Sequence, residues 1–197
     1  TDAGVHALGQ VAHADIAGKY PPTVVRHAIN FHLRPQPIAV VAAEIAPAGF
    51  DARFSATARV YRYCIVNRVA PPTIARRRAW HVATRLNAAA MRRAAQGLVG
   101  HHDFTTFRSS ACQARSPVRT LAHIGVARRG ETIVITARAR SFLHHQVRSM
   151  VGSLERVGAG KWPEAEILDA LAARDRRRAG PTAPACGLYL VEVEYGA

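Results

Sequence analysis

The period of the apolar residues switches repeatedly between two and about 3.6 along this chain, and that switching constrains its fold more than any other feature. Residues 59–66 set Val60, Arg62, Cys64 and Val66 on one side of an extended backbone and Tyr61, Tyr63 and Ile65 on the other. A period of two, carried by β-branched and aromatic residues, is that of a strand. Runs of the same kind cover 121–126 and 132–137, on either side of Arg128-Arg129-Gly130-Glu131. So short a link around a glycine predicts a hairpin. A hairpin joins antiparallel neighbours, whereas a parallel pair needs a crossover of a dozen residues or more, so a doubly wound parallel sheet is disfavoured. Further strands are expected over 38–44 and 188–195, and helices over 23–32, 87–99, 143–157 and 164–173. In the third helix Leu143, Val147, Met150, Val151, Leu154 and Val157 recur at helical spacing and are expected to face the core. The class is therefore mixed α/β (α+β), with a mainly antiparallel sheet flanked by helices. Ala46-Pro47-Ala48-Gly49 is the strongest internal punctuation and divides the chain into 1–49 and 50–197.

Charge points to a polyanionic partner. The chain carries 27 Lys plus Arg against 13 Asp plus Glu, a formal charge of +14, and only Lys19 and Lys161 are lysines. Such an excess attracts nucleic acid at long range, with an affinity that falls as salt rises. Arginine forks suit phosphate oxygens and stack on bases. No apolar run approaches the roughly 20 residues of a membrane span, and no signal peptide is visible. Cys64, Cys112 and Cys186 are far apart and form no Cys-x-x-Cys pair. Neither a zinc site nor a disulfide framework is suggested, and reduced thiols in a cytoplasmic protein are the expectation.

The chain opens Thr1-Asp2-Ala3-Gly4-Val5-His6, with an acid at the second position beside two small residues that let a backbone or a flat ligand come close to it. Taken alone, Asp2 reads more readily as a solvated terminal carboxylate.

The longer run to His13 resembles the active-site segment of TruA-type tRNA pseudouridine synthases, in which Gly-Arg precedes Thr-Asp-Ala-Gly-Val-His. Four further blocks carry the same resemblance in the same order. They are Phe50-Asp51-Ala52-Arg53-Phe54-Ser55 continuing to Tyr63, His102-Asp103-Phe104-Thr105-Thr106-Phe107-Arg108, Ser141-Phe142-Leu143-His144-His145-Gln146-Val147-Arg148 continuing to Gly152, and Gly187-Leu188-Tyr189-Leu190. The resemblance implies the pseudouridine synthase fold of two ferredoxin-like subdomains, the first lacking its N-terminal part, Gly-Arg included. It also implies a homodimer that isomerises uridine at positions 38 to 40 of the tRNA anticodon stem-loop.

That reaction breaks the bond from ribose to the base nitrogen, turns the base and rejoins it through carbon. Nothing is oxidised and no group is added, so neither cofactor nor metal is expected. A carboxylate nucleophile would divide one hard step into two easier ones. The resemblance assigns that role to Asp2, puts the Arg148 guanidinium beside it, and makes Tyr61 the tyrosine that lies against the target base and handles the proton at its carbon. Tyr63 is expected in the core, and Leu188 is either pocket lining or ordinary strand core. His144 and Arg148, four residues apart, would share one face of a helix. On that same helix His144 and His145 would point about 100° apart, so no metal pair is expected. A metal reading of Asp2, His6 and His13 is also set aside. Arg53, Arg59, Arg62, Arg108, Arg115 and Arg119 flank the motifs as RNA-contact candidates, each equally readable as a solvated surface charge. Two readings stay open beside the isomerase: a basic RNA-binding fragment without turnover, and a metal-dependent nuclease. The dispersed carboxylates disfavour the nuclease.

Overall fold

The computed structural model describes residues 1–196. In chain order the elements are β1 (His6–Ala7), α1 (Pro22–His32), β2 (Ala56–Asn67), β3 (Trp80–Val82), α2 (Ala88–Gln96), β4 (Gly100–Asp103), β5 (Val118–Arg129), β6 (Thr132–Ala139), α3 (Gln146–Gly158), α4 (Glu166–Ala173) and β7 (Leu188–Tyr195), with short 3-10 turns between some of them. Seven strands form one sheet in the order β1-β7-β2-β6-β5-β4, with β3 paired to β2. The pairs β2–β7, β2–β6, β5–β6 and β4–β5 are antiparallel, while the short β1–β7 and β2–β3 pairs are parallel. The sheet is therefore mixed and mainly antiparallel. The expected hairpin is present: Arg129 faces Thr132 across the two-residue link Gly130-Glu131.

The chain divides into two compact units, one of Thr1–Gln10 with the residues from Ala56 onward and the other Val11–Ser55. In the first, one face of the sheet supplies Tyr63, Ile65, Ile124, Ile133 and Ile135, all at most 1% exposed. Removing each such side chain from water contributes about 1.5–3 kcal/mol. The six apolar residues predicted to face the core from the third helical segment, Leu143, Val147, Met150, Val151, Leu154 and Val157, are all buried. Met91 from α2 and Ile167 from α4 are also fully buried in the same cluster.

The second unit contains α1 and overturns one expectation. Residues 38–44 form no strand. Instead, Asn30 on α1 takes both backbone groups of Val40, its Nδ2 donating to Val40 O at 2.8 Å and its Oδ1 accepting from Val40 N at 2.7 Å. Arg26 donates to Val41 O. With these groups satisfied by helix side chains, β-branched composition alone has no ladder to join. Conversely, β1, β3 and β4 escape prediction because two to four residues carry no readable period.

Helix starts also differ from the apolar pattern. Asn87 is a cap and not a helical residue, its side chain accepting from Ala90 N at 3.1 Å. Glu164 lies outside α4 and instead forms a forked pair with Arg93. Segment 143–157 becomes helical only at Gln146, because His145 adopts a left-handed conformation (φ 62°, ψ 5°).

Deep in this fold α3 passes against the chain at 180–183. A Cβ at Gly152 would sit 1.7 Å from the Pro181 carbonyl oxygen. Gly152→Ala gains about 1 kcal/mol of helix preference but overpacks a backbone contact, which costs typically 1–3 kcal/mol and more where backbone must move. The expected outcome is a net loss of about 2 kcal/mol, read as a melting temperature lower by roughly 4–8 °C; an unchanged melt would show that this crossing is not tight.

Candidate active site

Three side chains converge on one carboxylate. Asp2 begins a tight turn in which Val5 N donates to Asp2 O at 3.0 Å, and Gly4 supplies the positive φ (79°) the turn needs. Just after that turn, β1 docks on β7 with His6 opposite Tyr189, and Leu8 N donates to Leu190 O. The Asp2 side chain is one-third exposed. Arg148 Nη1 lies 3.6 Å from its Oδ2, His145 Nε2 lies 3.3 Å from the same oxygen, and His144 Nε2 lies 3.4 Å from Oδ1.

Arg148 is held from two sides. Its Nε donates to Ala183 O at 2.8 Å while its own carbonyl accepts from Ala183 N. Only 15% of the side chain is exposed, so the guanidinium reaches Asp2 from a fixed base.

The two histidines correct an expectation. Adjacent residues on a regular helix would diverge, but His144 and His145 precede α3, and the left-handed turn at His145 brings their rings to 4.0 Å. Gln146 stabilises this entry by accepting from Leu143 N at 2.8 Å. His144 therefore reaches Asp2 from a turn and not from the helical face it was expected to share with Arg148. His145 was not expected at the site at all; nothing in a sequence period marks a single left-handed residue. Asp2, His144 and His145 present donor atoms within 4.8 Å of one another, a set able to hold a small cation. The Arg148 guanidinium competes for the same carboxylate.

Tyr61 lies on β2, packed edge-on against Phe142 at 5.3 Å between ring centroids. Burial raises its phenol above the ordinary value, Arg59 lowers it and Asp2 raises it again, so the charge of Asp2 reaches the Tyr61 hydroxyl. Tyr63, two residues on, is fully buried and donates to Pro184 O at 2.7 Å, as a core residue. Leu188 is also buried, opposite Tyr63 in the β2–β7 register.

The arginine candidates scatter. Arg59 donates to Arg140 O at 2.5 Å. Arg62 lies 5.3 Å from the Tyr189 ring centroid. Arg119, at the start of β5, donates to Ser116 O and Val118 O close by in sequence. Arg108 follows the 3-10 turn at Thr105–Phe107, and Arg115 is exposed. Arg53 belongs to the Val11–Ser55 unit, lying 5.5 Å from the Phe54 ring centroid. In that unit His13 pairs with Asp51, while His6, in the other, donates to Arg77 O. No helix of the described residues is long and apolar enough to cross a membrane.

The His145 imidazole is held below its ordinary value, first by burial and then by Arg148 and His144, with Asp2 opposing. A depressed imidazole stays neutral in the folded chain at a pH where the unfolded chain already takes up a proton. Stability is then full above the unfolded value of about 6.5 and falls as pH drops through it toward the folded value. Asn tolerates the left-handed conformation and does not titrate, so His145→Asn should flatten this part of the acid limb. Urea unfolding between about pH 7 and pH 5 measures it; an equally steep limb in the variant would remove His145 as the cause.

Residues 94–196 match the family model described as tRNA pseudouridine synthase. The chain is 57% identical over 197 residues to tRNA pseudouridine synthase A of Paramagnetospirillum magneticum, covering all of this chain and 77% of the relative. It is 60% identical over 195 residues to the proteins of the same name from Azorhizobium caulinodans and Beijerinckia indica, covering 99% of this chain and 76% and 75% of theirs.

Proposed function

The chain belongs to the tRNA pseudouridine synthase family, and from that premise we propose that it isomerises uridine to pseudouridine in tRNA with Asp2 as the nucleophile. The observation that carries this reading is the Asp2 carboxylate, one-third exposed, with Arg148 anchored 3.6 Å away. A guanidinium at that distance places a fixed positive charge against the carboxylate oxygen that would attack.

In the proposed sequence, a carboxylate oxygen of Asp2 forms a covalent bond to the nucleoside as the bond from ribose to the base nitrogen breaks. The base turns, and its carbon bonds to the ribose as the link to Asp2 is released. The carbon loses a proton and the former glycosidic nitrogen gains one, so composition is unchanged. Burial keeps the Tyr61 phenol protonated at neutral pH. Its oxygen can therefore take the proton from carbon only as it passes its own on, while its ring stacks on the base. We assign the substrate to positions 38 to 40 of the anticodon stem-loop, the setting to the cytoplasm and the working form to a homodimer, each following the family resemblance of the five sequence blocks.

Asp2→Asn removes the nucleophilic oxygen while keeping size and hydrogen-bonding capacity. Tritium release from uridine-labelled tRNA should vanish, and tRNA affinity should hold or rise because a negative charge leaves a basic surface. Release by the variant would end the nucleophile assignment. Background release by the unaltered chain with tRNA binding intact would favour the rival reading of an RNA-binding fragment without turnover.

Tyr61→Phe should leave binding within about twofold while lowering turnover, since the stacking ring remains. A loss of affinity with turnover preserved would place the Tyr61 hydroxyl in binding and remove it from proton handling.

A further inference from the structure

Most arginines whose side chains reach an acid in this structure are neutralised by it. Arg68 pairs with Glu131, Arg93 with Glu164, Arg138 with Glu194, Arg174 with Asp103, Arg177 with Asp175 and Arg178 with Glu166. Some other arginines form no ion pair among the described residues, and three of these are successive. Arg76, Arg77 and Arg78 are all exposed, and among the described residues none of them pairs with an acid. Like charges this close repel one another, and among the described residues no ion pair offsets that repulsion.

Their backbone is nonetheless held firmly. Three consecutive carbonyls of this loop accept side-chain donors from the segments that frame Asp2. His6 Nε2 donates to Arg77 O at 2.9 Å, the Tyr189 hydroxyl donates to Arg78 O at 2.5 Å, and Cys186 Sγ approaches Ala79 O at 3.7 Å. His6 and Tyr189 are register partners in the β1–β7 pair, and their rings stack at 4.7 Å with 23° between planes. Arg77 itself sits in the left-handed region at φ 61°, which costs conformational energy for a residue of this type. His6 is four positions from Asp2, so their Cα atoms lie within about 15 Å by chain reach, and the loop backbone is one imidazole and one hydrogen bond beyond His6.

We infer that the loop Arg76-Arg77-Arg78 is a pre-formed phosphate clamp for the tRNA backbone beside the target nucleotide, held in place by His6 and Tyr189. The inference rests on the tRNA-modifying reading above and adds a contact surface to it. Phosphodiester oxygens are the ligand because exposed guanidiniums without acidic partners, on a backbone already fixed, bind phosphate with little further ordering cost.

The test compares two variants that remove equal charge. Arg76→Ala/Arg77→Ala/Arg78→Ala takes the loop charges; Arg93→Ala/Arg177→Ala/Arg178→Ala takes three that are already paired with acids. Anisotropy titrations of an unmodified tRNA transcript over a range of salt concentrations give affinity and the slope of log affinity against log salt. The loop variant should bind about tenfold or more weakly with a slope shallower by about 2 to 3, and the paired-arginine variant should change its slope by less than about 1. If the loop variant does not fold by circular dichroism, the three single substitutions replace it, each expected to reduce the slope by about one. Tyr189→Phe keeps all three charges but frees Arg78 O, so affinity should fall with the slope unchanged.

Equal losses from the two triple variants would mean that net charge alone matters and would overturn the clamp, as would an unchanged slope in the loop variant. A slope difference between the triples in a chain that releases no tritium would sink the isomerase reading while the phosphate clamp stands.

Discussion

The contact of Arg148 with Asp2 ties together parts of the chain that are remote in sequence. Its guanidinium joins the first turn of the chain, the start of α3 and the carbonyl of Ala183 ahead of β7. Because the side chain is largely buried and fixed by the Ala183 carbonyl, its position is set by the packing of α3 on the sheet and not by the carboxylate it meets. The rest of the site arranges itself around that pair. The turn at Gly4 presents the acid, the left-handed residue His145 folds two imidazoles onto it, and β2 carries Tyr61 into its electrostatic range. A charge pair of this kind does little for net stability once desolvation is subtracted. What it secures is a carboxylate at a defined place.

β2 explains how such a site can be rigid. It lies between β7 and β6 and also pairs with β3, so the strand bearing Tyr61 and Tyr63 has partners along most of its length. Alternation then sends Tyr63 into the core, with its hydroxyl on Pro184 O, and brings Tyr61 to the same side nearer the functional end. The contrast between two tyrosines two residues apart comes from their depth along the strand. One is sealed beneath Gly187 and Leu188; the other meets Phe142 and the field of Asp2.

The positive charge of the chain divides into two populations with different physical meaning. Arginines paired with acids across element boundaries, such as Arg93 on α2 with Glu164, are half-solvated contacts that each contribute little to stability. Arginines without such partners, set on a backbone that other side chains immobilise, are the ones we infer to meet phosphate. Composition alone cannot separate the two, since both contribute equally to a net charge of +14.

Sequence by itself determined the class of the fold, the hairpin at Gly130 and the buried face of α3, and its motifs singled out Asp2, Arg148 and Tyr61 as candidates. All of these depend on local chemistry: alternation, helical spacing, turn residues and a specific order of side chains. Only tertiary structure decided that residues 38–44 form no strand, because that depended on whether Asn30 or a neighbouring strand would take the backbone groups of Val40. It likewise decided that His145 joins the site, because one residue in a left-handed conformation stops a helix where the apolar pattern runs on unbroken. The same holds for Arg76, Arg77 and Arg78, an ordinary basic run until His6 and Tyr189 bind its carbonyls from strands more than 70 residues before and 110 after it. Hydrogen bonds across such separations exist only once the chain has packed, so no local pattern encodes them.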